Sequence, residues 1–137
     1  MKEMRFPAKT ENLPEVIGFV TAELESASCP GKARMQIELA VEEIFVNIAN
    51  YAYRPEVGEA TVRCAVDNDP LQVVIQFLDQ GKPYNPLAKK DADTSLPAAE
   101  REIGGLGILL VKKSMDSIDY EYRDGKNILT IRKKTGG

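Results

Sequence analysis

The chain has 137 residues, of which 43% are hydrophobic and 28% charged, with a net charge of −3. That is the composition of one soluble globular domain with its own core, not of a disordered chain. There is no long basic run, which argues against direct nucleic-acid binding. There is also no histidine, which removes His-based triads, most zinc enzymes and a phospho-histidine relay within the chain. Acid–base chemistry falls to carboxylates or lysine.

The amino-terminal stretch MKEMRFPAKTEN has no apolar core of the signal-peptide kind, so none is expected. The longest purely aliphatic run, ILLV at 108–111, is too short to span a bilayer. Cys29 and Cys64 form no CxxC pair and read as ordinary small buried residues. A cytoplasmic protein without a membrane partner is expected.

Met4 and Phe6 alternate with Lys2, Glu3 and Arg5, which predicts a short first strand. In NLPEVIGFVTAELESA, Asn12 can cap a helix and Pro14 fits its first turn. Val16, Ile17, Val20 and Leu24 keep helical spacing, and SCPG at 28–31 ends the helix. A second helix is predicted from about Lys32 to about Tyr51, with Ile37, Val41, Ile44 and Ile48 on one stripe. ATVRCAV (60–66) and LQVVIQFL (71–78) read as paired strands around a DNDP turn.

From Asp79 to about Gly107 the chain is rich in Gly, Pro, Asp and Ser and has little periodicity. So long a loop inside a compact domain is usually functional. GILLVKKSM reads as a third helix, and IDYEY, a DGKN turn and ILTIRKK as a carboxy-terminal hairpin. The final TGG, 135–137, is expected to fray. The order β-α-α-β-β-loop-α-β-β predicts an α/β two-layer sandwich: a mixed, mostly antiparallel sheet with helices on one face.

Three segments carry candidate chemistry. In VEEIFVNIANYAY (41–53), Glu43 and Asn47 are four apart and project from the same helix face, with Asn50 near that line. Such a seam beside an apolar stripe fits a pocket wall; an incidental pair on a solvated face is the other reading. DQGKPYNP (79–86) follows a strand predicted to be buried. Asp79 can there accept a hydrogen bond from an exocyclic amine such as adenine N6, and Gly81 lets a flat ring approach the backbone. A plain Asp-x-Gly turn is the alternative. GGLG (104–107) opens the third helix, where bare N–H groups favour an anion such as phosphate; helix capping is the alternative.

The order and spacing of these pieces resembles the GHKL ATP-binding fold of histidine kinases and gyrase. Within it, VEEIFVNIANYAY, LDQGKPYNPL and GGLGILLVKKSMDSIDYEY look most like anti-sigma factor serine kinases of the RsbW and SpoIIAB kind. The resemblance covers nearly the whole chain as a single ATP-binding domain, 1–137. It implies that Asn47 ligates Mg²⁺, with Glu43 as general base; Glu42 lies about 100° around the helix from Glu43.

By the same resemblance, Asp79 holds the adenine amino group with Gly81 beside the ring. Asn50 belongs to the same pocket wall. Gly104, Gly105, Leu106 and Gly107 lie against the phosphates, under a lid from about Asn85 to Ile103. Lys89, Lys90 and Arg101 are lid candidates for the γ-phosphate, with solvated loop charges as the alternative. Family kinases often place an arginine just before the glycine box; here Ile103 stands close to that place and Arg101 is displaced.

The implied function is an ATP- and Mg²⁺-dependent serine/threonine kinase that binds a sigma factor and phosphorylates a small anti-anti-sigma protein of the STAS type. Homodimerisation is a family trait for which this sequence has no mark of its own. Two rivals are an ATP-binding partner-switching module without phosphoryl transfer and a detached ATP-binding domain of a two-component sensor.

Overall fold

The computed structural model describes residues 2–52, 58–67, 71–83 and 111–135. The predicted order of the five strands and first two helices is observed; most of the predicted loop and the start of the predicted third helix lie outside the described residues. Strand β1 (Lys2–Pro7) is followed by helices α1 (Leu13–Ser26) and α2 (Gly31–Asn47). Strands β2 (Glu59–Asp67) and β3 (Leu71–Asp79) come next, then β4 (Ser117–Arg123) and β5 (Lys126–Thr135). One helical turn, 111–114, precedes β4. Thr135 pairs with Leu71, so β5 runs one residue into the tail expected to fray.

The five strands form one sheet in the order β1-β2-β3-β5-β4. Every pairing among the described strands is antiparallel, where the sequence left room for a mixed sheet. Antiparallel neighbours need only short connections, and the β4–β5 hairpin has the shortest. Asp124 (φ 55°) and Gly125 (φ 75°) both adopt positive φ between the paired Arg123 and Lys126. This is a two-residue I′ turn, whose twist suits the flanking strands and which favours Asp-Gly. The turn is therefore narrower than DGKN, and Asn127 is a strand residue.

Period-two alternation puts Val62 and Cys64 of β2, Val73, Ile75 and Phe77 of β3, and Leu129 and Ile131 of β5 on one face. All seven are buried in one cluster with Val16, Val20 and Leu24 of α1 and Ile37, Val41, Ile44 and Phe45 of α2. Fully burying each such side chain contributes roughly 1.5–3 kcal/mol against chain entropy. The opposite face carries polar pairs: Arg63 Nε to Glu3 at 2.6 Å, Gln76 Nε2 to Thr130 at 3.3 Å and Arg132 to Asp119 at 2.8 Å. Covalent order and alternation thus produce the two layers.

Local rules set the helix ends. At the end of α1, Cys29 N–H donates to Leu24 O and Ser28 N–H to Glu25 O, both at 3.0 Å. That is a Schellman motif with Ser28 (φ 57°) in the position glycine usually takes. Asn12 occupies the N-cap of α1 but makes no side-chain cap bond; its amide donates to Glu15 at 3.3 Å instead. A 3₁₀ turn, Thr10–Asn12, leads into the helix, and Asn12 keeps helical backbone angles (φ −88°, ψ −2°). The extended backbone from which a cap side chain reaches back is therefore missing.

Glu38 of α2 accepts from Thr21 of α1 at 3.3 Å and from its own-helix Arg34 at 3.0 Å. The first of these part-buried bonds ties the two helices together. Beyond Asn47, α2 does not continue as an α-helix. It widens into a π-helical turn, Ile48–Ala52.

Candidate functional site

The buried helix carries the first part of the site. Ile37, Val41 and Ile44 face the core with at most 1% exposure, and Glu42 and Glu43 beside them are turned toward the flank. Glu42 is exposed and Glu43 half-buried. Burial raises the Glu43 pKa above the ordinary glutamate value, and the neighbouring Glu42 charge raises it further. Asn47, one turn on, is only 8% exposed. Its side-chain amide has no hydrogen-bond partner among the described residues. A buried amide left in that state costs about 1–3 kcal/mol.

Asn50, also half-buried, lies inside the π turn. Its bonding there follows i→i+5 spacing, so it does not hold the α-helical offset from Asn47 that the sequence pattern assumes. Single π turns inserted in helices occur frequently at functional sites. Strand β2 then opens at Glu59, and its next residue, Ala60, pairs with Asp79.

Asp79 is the second part. It ends the central strand β3 on the helix-facing side and is 6% exposed. One oxygen, Oδ1, accepts from Gly81 N–H at 2.9 Å, closing an Asx turn. The same oxygen accepts from Asn127 Nδ2 at 2.9 Å. The other oxygen, Oδ2, has no partner among the described residues. Burial pushes the Asp79 pKa up, and the two donors on Oδ1 pull against it. The result is a buried carboxylate with one oxygen satisfied and one still able to accept.

Asn127 and Tyr120 are the residues the sequence reading missed. Asn127 sits directly opposite Asp79 in the β3–β5 ladder and is 6% exposed. Besides Asp79, its Nδ2 donates to Lys82 O at 2.9 Å and, more weakly, to Gly81 O at 3.4 Å. Its Oδ1 accepts from the Tyr120 hydroxyl on β4. Asparagine is depleted in strands, which was the one available signal, but the DGKN reading absorbed it into a turn.

The other candidates divide plainly. Gly81 is buried beside Asp79. Arg101, Gly104, Gly105, Leu106 and Gly107, with Lys89, Lys90 and the lid segment 85–103, lie outside the described residues. Of the third helix, Val111 and Met115 join the core and Lys113 is exposed. Among the described residues, no group of three or more His, Cys, Asp or Glu could hold a metal. No described helix is long and apolar enough to cross a membrane.

What remains chemically is a pair of buried polar groups with unused capacity. The Asn47 amide oxygen is a hard donor suited to Mg²⁺, which takes one or two protein ligands and fills its shell with water and substrate phosphate. Asp79 Oδ2 is an acceptor suited to an N–H donor on a flat ligand.

Comparison with known proteins places the chain in a family. The family model described as a histidine kinase-like ATPase domain matches residues 6–133. The serine-protein kinase RsbW of Bacillus cereus (strain ATCC 10987 / NRS 248) is 30% identical over 135 residues, covering 95% of this chain and 82% of that one. RsbW of Bacillus mycoides (strain KBAB4) is 26% identical over 144 residues with the same coverage. Among solved structures, a chain of the SiaB–SiaC complex from Pseudomonas aeruginosa aligns with a TM-score of 0.58 at 18% identity, over 98% of this chain and 89% of that one. The Acinetobacter baumannii histidine kinase AdeS aligns at 0.50 and 14% identity, over 100% of this chain and 70% of that one. These two likenesses speak for the fold alone. The chain belongs to the histidine kinase-like ATPase domain family, among the RsbW-like serine-protein kinases.

Proposed function

We propose that the chain is an ATP- and Mg²⁺-dependent protein serine/threonine kinase that works as an anti-sigma factor. Its substrate on this reading is a small anti-anti-sigma protein phosphorylated on serine or threonine. The observation that carries the proposal is Asp79, buried at the end of the central strand with one carboxylate oxygen that has no partner among the described residues. An exocyclic amine of adenine supplies the missing donor. The kinship with RsbW supports protein phosphorylation as the use of the nucleotide.

Asn47 would hold the magnesium ion through its amide oxygen. When bound, that ion neutralises the phosphate charge that builds up during transfer. Glu43 takes the proton of the attacking hydroxyl. Its raised pKa makes it the stronger base wherever it remains ionised. Gly81 lets the ring lie close to the backbone. Gly104, Gly105, Leu106 and Gly107 take the phosphates, and Arg101 and Asn50 complete the nucleotide contacts.

Sigma factor and anti-anti-sigma protein compete for one kinase on this reading, and phosphorylation biases the choice. The chain acts in the cytoplasm, alone or as a homodimer.

Labelled ATP, Mg²⁺ and an anti-anti-sigma protein from a neighbouring reading frame test the proposal directly. Label on the partner's serine or threonine is the expected result. Tight nucleotide binding without transfer would instead favour a partner-switching module, a reading kept in view by Ile103 standing close to where family kinases often carry arginine. A titration with ATP and Mg²⁺ that shows no binding would overturn both.

A further inference from the structure

The geometry points to Tyr120 and Asn127 as positioning residues that saturate one oxygen of Asp79 and so present the other, Oδ2, as a single acceptor for the exocyclic amine of a bound purine. The inference rests on the adenine reading given above and deepens it: neither residue is asked to touch the nucleotide.

The asparagine amide has only one workable orientation here. Its nitrogen faces three oxygens, those of Asp79, Lys82 and Gly81, at 2.9, 2.9 and 3.4 Å. An amide oxygen turned that way would meet three acceptors and no donor. On its other side, the amide oxygen accepts from the Tyr120 hydroxyl. The chain of donors therefore runs in one direction, from Tyr120 through Asn127 to Asp79.

The two donors on Asp79, Asn127 Nδ2 and Gly81 N–H, both end on Oδ1. Rotation of the carboxylate would break both bonds, so Oδ2 is held in place, and among the described residues it has no partner of its own. Because Asn127 also grips Lys82 O, the same side chain fixes the backbone that follows Asp79. A ligand with an N–H donor meets one fixed acceptor. A ligand with a carbonyl at that position meets an unscreened, buried oxygen and is rejected.

The test is calorimetric titration of the full chain with ATP, with GTP and with purine riboside triphosphate, which lacks the exocyclic amine, all with Mg²⁺. Wild type should prefer ATP over both. Tyr120→Phe deletes one hydroxyl and keeps the ring that packs against the core. It should narrow the preference for ATP over purine riboside triphosphate about tenfold, with the melting temperature held within a few degrees. Asn127→Leu should narrow it further.

The pH dependence of that preference gives a readout that a merely structural role would not move. The amide's donation lowers the Asp79 pKa against burial, so its loss in Asn127→Leu should shift the midpoint upward. Tyr120→Phe should shift it the same way by less. If Asn127→Leu fails to fold, Tyr120→Phe decides alone. A Tyr120→Phe protein with wild-type preference and midpoint would overturn this inference and leave the adenine reading standing. Wild-type protein with no preference for ATP would overturn the adenine reading, and this inference with it.

Discussion

Asp79 and Asn127 are direct cross-strand partners, and the asparagine amide donates to one aspartate oxygen while the second accepts nothing among the described residues. The pair is thus half-satisfied in a buried position. Such a state is costly to stability, and it gains a purpose once a ligand completes it.

Asp79→Asn should separate these two effects. Burial raises the folded-state pKa of Asp79 above its unfolded value. The sign follows: no penalty exists below the unfolded pKa, and stability is lost as pH rises through the folded pKa. The neutral amide removes that penalty. The unliganded variant should therefore melt higher at pH 7, and the gain should vanish in acid. ATP binding should fall sharply, far more than any residual GTP binding. Thermal melts across pH, paired with nucleotide titration, check both.

Asn47→Leu replaces a buried amide, which has no partner among the described residues, by an apolar group of similar size. The free protein should gain about 1 kcal/mol. Nucleotide binding should lose the increment that Mg²⁺ adds, so that ATP titrations with Mg²⁺ and with chelator coincide. A variant that keeps its magnesium response would remove Asn47 from the metal site.

The acid limb of kinase activity should report Glu43. Its pKa is raised, first by burial and then by Glu42. Activity should thus fall with decreasing pH from a point above the ordinary glutamate range. Glu42→Gln removes the like charge and should move the limb to lower pH while preserving turnover at neutral pH. Glu43→Ala should abolish transfer and largely spare ATP binding. Rate–pH profiles of the three proteins distinguish the two glutamates.

Ser28→Gly should stabilise the fold by about 0.5–1 kcal/mol, because Ser28 holds a left-handed conformation at the end of α1. Gly125→Ala should cost about 1–2 kcal/mol for the converse reason, since φ is 75° in the I′ turn. Denaturant midpoints of both variants check the pair, and neither should alter nucleotide affinity.

The sequence made the local pattern legible. The four-three-four spacing of Ile37, Val41, Ile44 and Ile48 found α2, and β-branched runs found β2 and β3, because burial on one face writes itself as periodicity. The place of Asp79 at a strand end was legible for a related reason: an acid directly after a buried strand breaks the pattern. Asn127 was not, because its meaning lies in register. Only the β3–β5 ladder brings it opposite Asp79, 48 residues earlier in the chain. The π turn at Ile48–Ala52 escaped too, since its residues continue the helical composition and nothing local announces the change in bond spacing. Asn12 looked like a capping residue, but the 3₁₀ turn before it set a backbone in which its side chain could not cap.

Asp79 terminates β3, the middle member of the sheet. Strands flanked on both sides exchange their amide hydrogens last, often only when the whole molecule opens. A ligand gripped there engages the most cooperative unit of the domain instead of a fraying margin. Occupancy should slow deuterium uptake along all of β3, and the chain's lifetime against proteolysis should lengthen with nucleotide supply.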